Sequence, residues 1–234
     1  MAVTEVKAIY ERARKANRQS SKDSEKDVCS KCGTVNCKRK ACRLLEASKT
    51  ANGILSVGAP VKVAQATLQT YSRAIQNDVG GFLSGEYDGL YIHGDTGRGK
   101  SYLASAVLRK VLPELIVEYE TDAKFNARWV RASRFLLEAQ ASWNDRTALS
   151  TMRVVNDYGK MGFLVLDDLG AERGTDTSRA FLTDLIEDRQ GNERPMVVTS
   201  NLTLERLDSW EPRIASRLST YLPIHMDGPD RRVG

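Results

Sequence analysis

The chain predicts an α/β fold: a phosphate-binding-loop core of parallel strands sandwiched by helices, with a small cysteine-bearing head in front of it. Three observations predict this. Gly94-Asp95-Thr96-Gly97-Arg98-Gly99-Lys100-Ser101 has the glycine–lysine–serine spacing of a loop that wraps phosphate. The apolar runs at 89–93, 163–169 and 196–201 are short, nearly continuous and end on polar residues, as strands buried on both faces do. All four cysteines of the 234 residues fall between positions 29 and 42, which sets the start of the chain apart from the rest. The expected organisation is a head over 1–50 and a core domain over 51–234.

In the head, Val3, Val6, Ile9, Tyr10 and Ala13 are spaced as one apolar stripe of a helix, and residues 19–26 read as a polar linker. Cys29, Cys32, Cys37 and Cys42 follow as C-x2-C-x4-C-x4-C. Four thiolates this close in sequence can surround one tetrahedral Zn²⁺, with Gly33 easing the chain around the ion. An iron–sulfur cluster and free reduced thiols are the alternative readings. The first 50 residues hold 13 Lys/Arg against 6 Asp/Glu in a chain of net charge +5, so the remainder is slightly acidic. A basic head suits nucleic acid or an acidic partner, and a solvated charged face is the plainer account. No apolar run reaches the ~20 residues of a membrane span, and the N-terminus lacks a signal-peptide core, so a cytoplasmic protein without a membrane partner is expected.

In the core, Gly89–His93 reads as a strand leading into the loop, and the apolar spacing from Tyr102 to Val111 reads as the helix after it. The loop's glycines let successive N–H groups turn inward around the β- and γ-phosphates of a nucleotide, and the helix points its positive end at the anion. Lys100 would reach the phosphate oxygens, and the Ser101 hydroxyl would ligate Mg²⁺. Residues 115–119 and 128–131 read as strands, 133–143 and the Arg153 region as helices. The run 163–169 places Asp167 and Asp168 at a strand end, Asp167 for the Mg²⁺ shell and Asp168 to orient an attacking water. A core strand followed by a helix-capping Asp is the alternative. Asn201, ending the next strand, could hydrogen-bond the water or the γ-phosphate, or serve as a turn residue. Arg213 and Arg217 lie four apart on one face of a helix, a spacing that by default means paired surface charges. Residues 221–225 form a last strand, and His93 and His225 read as structural.

The ordered set GLYIHGDTGRGKSYLA, FLVLDDLGAER, VVTSNLTLERL, RIASRL and MDGPDRR resembles the DnaC-type helicase loaders and the IstB-type transposase helpers of the AAA+ ATPases. The resemblance spans about residues 55–232. It implies Lys100 and Ser101 on ATP and Mg²⁺, Asp167 and Asp168 as the acidic pair, and Asn201 as the sensor. It implies Arg217 as a finger reaching the ATP of a neighbouring subunit, hence self-association, with Arg213 the second choice. It also places Phe135, Trp143 and Arg146 where that family contacts single-stranded DNA, although helically spaced aromatics on their own read as core. Asp168 stands where AAA+ proteins usually carry glutamate, which implies slow or partner-stimulated hydrolysis. No clear lid domain is read after Arg217, so part of the adenine pocket is expected to come from elsewhere in the chain or from a neighbour. The implied function is an ATP-dependent loader that delivers a hexameric replicative helicase onto single-stranded DNA, with the zinc head as the docking module. A transposition helper remodelling DNA and a non-enzymatic adaptor shaped by ATP are the alternatives.

Overall fold

The computed structural model describes residues 44–45, 47–118, 123–144, 148–171 and 175–228. The expected head helix, the linker, the four cysteines and Arg146 lie outside them. The elements run α1 (Ala51–Ser56), α2 (Arg73–Leu83), β1 (Gly89–His93), α3 (Lys100–Val111), β2 (Ile116–Glu118), β3 (Ala123–Phe125), β4 (Ala127–Arg131), α4 (Ala132–Asn144) and α5 (Ala148–Gly159). Then come β5 (Phe163–Leu169), α6 (Asp176–Gly191), β6 (Met196–Ser200), α7 (Leu204–Trp210), α8 (Pro212–Leu218) and β7 (Leu222–His225).

Five of the strands form one parallel sheet in the order β4-β5-β6-β1-β7. The 115–119 run departs from expectation. Its strand, β2, stays out of this sheet and pairs antiparallel with β3, because the chain turns straight back and the Asn126 N–H donates to the Leu115 carbonyl at 2.6 Å. A three-residue strand with an antiparallel partner next to it in sequence needs no crossover to satisfy its backbone.

Residues alternate along each strand between two cores. Leu90, Ile92, Trp129, Phe163, Val165 and Val197 face α1, α2 and α3, where Ile54, Phe82 and Leu103 are sealed from solvent. Tyr91, Leu164, Leu166 and Val198 face the helices from α4 to α8. Each fully buried Leu, Ile, Val or Phe in these layers contributes roughly 1.5–3 kcal/mol, which is why continuous apolar runs are the right sequence for the central strands. Helix starts are fixed locally: Ser72, Thr175 and Thr203 accept hydrogen bonds from the first-turn N–H groups of α2, α6 and α7.

Phe135 belongs to the second core, fully buried and edge-on to Tyr158 at 5.4 Å. The implied DNA contact does not hold for this residue, because the apolar face of α4 turns inward onto α5 and the sheet. Arg189 of α6 is also fully buried. Its guanidinium donates to the carbonyls of Tyr158, Gly159 and Met161 at the end of α5 and to Pro195 just before β6. Burial lowers its pKa to about 9, and those four carbonyls accept its N–H groups. His93 and His225, in register on β1 and β7, pack edge-to-face at 4.9 Å. Among the described residues no helix is long and apolar enough to cross a membrane.

Candidate active site

The carboxyl ends of β5, β6 and β1 bring the expected residues together, as open parallel sheets do where the strand order reverses. Between β1 and α3 the chain from Gly94 to Gly99 forms a tight loop. Gly94 and Gly99 have φ of 143° and 88°, a backbone region L side chains rarely occupy. A Cβ on Gly94 would also collide with the Met226 carbonyl. These positions therefore hold glycine for geometry, and α3 begins at Lys100 with its N-terminal N–H groups aimed along the loop. Arg98 pairs loosely with Asp95 at 3.7 Å on the outer side of the loop.

Lys100 is buried to 8% exposure. Its ammonium donates to the carbonyls of Gly94 at 2.6 Å and Asp95 at 2.8 Å and to Oδ1 of Asn201 at 2.6 Å. The expected sensor and the loop lysine are thus in direct contact across β1 and β6. The amide of Asn201 reaches Oδ1 of Asp168 at 3.4 Å. On the other side, the hydroxyls of Ser101 and Thr199 each donate to Oδ1 of Asp167 at 2.7 Å. Burial pushes the Asp167 carboxyl above its ordinary range, the two hydroxyls pull it back, the neighbouring Asp168 raises it and Arg131 lowers it.

Two consecutive acids in a regular strand would point to opposite faces. Here both line one cavity, and the backbone shows how. The β5–β6 register runs Leu166 opposite Val198 and then Leu169 opposite Ser200, so β5 carries one extra residue. Asp168 takes it up at φ 63°, a left-handed conformation that Asp tolerates better than most side chains. Its N–H, displaced from the ladder, donates instead to Oγ1 of Thr199 at 2.9 Å. One hydroxyl therefore serves both acids. Thr199 was not singled out from the sequence; a polar residue inside the apolar run 196–200 was the available signal.

The cavity measures about 670 Å³, the size of an ordinary small-ligand site. Beyond the loop and the acids it is walled by Pro60, Lys62, Val63 and Thr70, with Tyr102 at the first turn of α3. The Tyr71 hydroxyl donates to the Gly99 carbonyl at 3.3 Å and ties this wall to the loop. The segment ahead of α2 thus forms one wall of the cavity. Ser101 and Asp167 offer a hydroxyl and a carboxylate side by side, the hard oxygen donors that Mg²⁺ takes together with phosphate oxygens. Arg217 does not line the cavity. It sits half-exposed on α8, paired with Glu187 of α6 at 2.6 Å. Arg213 is exposed on the same helix.

Comparison with known proteins agrees with this geometry. The bacterial DnaA ATPase domain model matches residues 63–225. The chromosomal replication initiator protein DnaA of Streptococcus thermophilus is 25% identical over 149 residues, covering 62% of this chain and 30% of the relative. The chain thus corresponds to about a third of the curated relatives it matches. Among solved structures, a DnaC helicase loader superposes with a TM-score of 0.54 at 22% identity, over 71% of this chain and 99% of that one. A putative primosome component from Streptococcus pyogenes serotype M3 superposes with a TM-score of 0.56 at 22% identity, over 80% and 99%. At that identity the two structures establish the fold. The family match covers well over half of the chain, from the cavity wall through the loop, the acids and Asn201 to β7, and on it the chain belongs to the bacterial DnaA ATPase domain family.

Proposed function

We propose that the chain is an ATP-dependent loader that places a hexameric replicative helicase onto single-stranded DNA. The observation that carries the reading is one cavity that gathers the glycine loop, Lys100, Ser101, Asp167 and Asp168 within one subunit, combined with an arginine, Arg217, held outside it on an exposed helix face. ATP enters the cavity with its β- and γ-phosphates in the loop, and Lys100 and the N-terminus of α3 bind their charge. Ser101 and Asp167 would hold Mg²⁺, which supplies charge neutralisation between the phosphates. Asp168 orients the attacking water and Asn201 holds Asp168 and Lys100 in one network. Arg217 leaves Glu187 and reaches the ATP of the next subunit, so hydrolysis is tied to assembly. The short Asp168 side chain makes turnover slow until a partner tightens the site. In the head, Cys29, Cys32, Cys37 and Cys42 would hold one Zn²⁺, which would supply the folding energy that a segment too short to bury a core of its own needs, and the head would serve as the docking module for the helicase. The similarity to a solved helicase loader is consistent with this reading.

The test is transfer of the purified replicative helicase of the source cell onto closed circular single-stranded DNA. ATP and the full chain should raise the bound helicase well above the level without ATP, and Lys100→Ala should return it to background. Equal loading with Lys100→Ala removes the ATP-dependent step. ATP turnover without any capture of helicase removes the loader reading and leaves the ATPase.

A further inference from the structure

Arg131 ends β4 in register with Asp167 on the parallel neighbour β5. In-register residues of a parallel pair face the same side of the sheet, and Ala127 and Trp129, four and two residues earlier, pack into the core beneath α3. Arg131 therefore emerges on the α3 side of the sheet at its carboxyl edge. It lines the same cavity as Lys100, Ser101, Asp167 and Asp168. Arg131 is exposed, and its charge already acts on the Asp167 carboxylate in the same cavity, but without the close contact that Arg98, Arg134, Arg179, Arg194 and Arg217 each make with a carboxylate.

The two acids nearby are already engaged, Asp167 by Ser101 and Thr199 and Asp168 by Asn201. Lys100 enters the cavity from the β1 side and Arg131 from the β4 side, with the ends of β5 and β6 between them. A group with strong negative charge lying over those two strand ends is flanked by a cation on either hand. A diphosphate held in the loop stays next to Lys100; the third phosphate extends toward the acids and Mg²⁺, on the side where Arg131 stands. Arginine suits this position because its planar fork donates to two phosphate oxygens at once.

We propose that Arg131 is a second, intrinsic cation for the terminal phosphate of a bound nucleoside triphosphate. Each subunit thereby distinguishes triphosphate from diphosphate within its own cavity, before any neighbour supplies Arg217. The inference rests on the nucleotide reading above. Equilibrium binding of a non-hydrolysable ATP analogue and of ADP is measured with Mg²⁺ for the wild-type chain, Arg131→Ala and Arg131→Lys. Arg131→Ala should weaken the triphosphate about tenfold, the scale of one charged hydrogen-bonding group, and leave ADP within about twofold. Arg131→Lys should recover part of the loss, as a point charge without the fork. Equal weakening of both nucleotides, or no change in either, overturns the inference while the nucleotide site stands. A wild-type chain that binds neither nucleotide overturns both.

Discussion

Asp167 is the residue at which fold and function pull apart. It is 3% exposed, and its carboxylate would be expensive to keep ionised without the hydroxyls of Ser101 and Thr199. Burial raises its folded-state pKa above the unfolded value. Its contribution to stability is therefore fully present below the ordinary carboxyl range and lost as pH rises through the raised folded value. Asp167→Asn keeps an acceptor for both hydroxyls and removes the charge. The nucleotide-free variant should melt higher at neutral pH, by an amount on the order of 1 kcal/mol or about 2–4 °C for a chain of this size, and should lose Mg²⁺-dependent hydrolysis. A variant that melts lower at neutral pH would show that the ionised carboxylate is stabilising there. Thr199 is the complementary case, because its one hydroxyl donates to Asp167 and accepts from the Asp168 N–H. Thr199→Val leaves that N–H without its acceptor and should cost about 1–3 kcal/mol, read as a lower melting temperature, together with reduced turnover. Unchanged stability and rate would mean that a water replaces the hydroxyl.

At the scale of elements, the strands and helices that carry the site were legible because local chemistry specifies them. The Gly94–Ser101 spacing, the apolar run into Asp167 and Asp168, and the run into Asn201 each sit within a single element, and β1, β5 and β6 begin and end within a residue of expectation. The extra residue in β5 was not legible. It depends on which β6 residues lie opposite, a pairing between positions about 30 apart in sequence. The 115–119 strand was read, but β3 and its antiparallel pairing with β2 were not, since a three-residue strand leaves little periodicity to read. The α8 helix shows what an element can prepare without completing. Its Arg217–Glu187 pair has side chains 45% and 41% exposed, and exposed pairs of this kind are worth about 0–1 kcal/mol, so the arginine is released at little cost. Arg217→Ala should bind ATP like the wild type and hydrolyse it poorly, and mixing it with Lys100→Ala protein should restore part of the activity at a mixed interface. Co-assembly of the two variants without restored turnover would move the role to Arg213 or abolish it.

For the whole molecule, the ATPase core and the cysteine head are separable problems. Ser48 is fully buried, and Gly53 of α1 lies so close to Ala47 that a Cβ there would stand 2.6 Å from its carbonyl. A chain that starts at Leu44 should therefore keep nucleotide binding, whereas one that starts at Ala51 also strips packing from α1. The chain from Leu44 should lose the helicase, and Cys32→Ser with Cys37→Ser should reproduce that loss. Elemental analysis of the full chain should give about one zinc per molecule, the stoichiometry of a four-thiolate site. Full-affinity capture of helicase by the chain from Leu44 would assign the head another partner. The helix pair α4–α5 meets the core at Arg189, whose guanidinium grips the last carbonyls of α5 and, one residue ahead of β6, Pro195. The strand that starts there runs the depth of the sheet and hands on to Asn201 at its far end. One buried guanidinium thus fixes the end of α5 to the start of the strand that leads into Asn201, the residue that accepts from Lys100 of the loop.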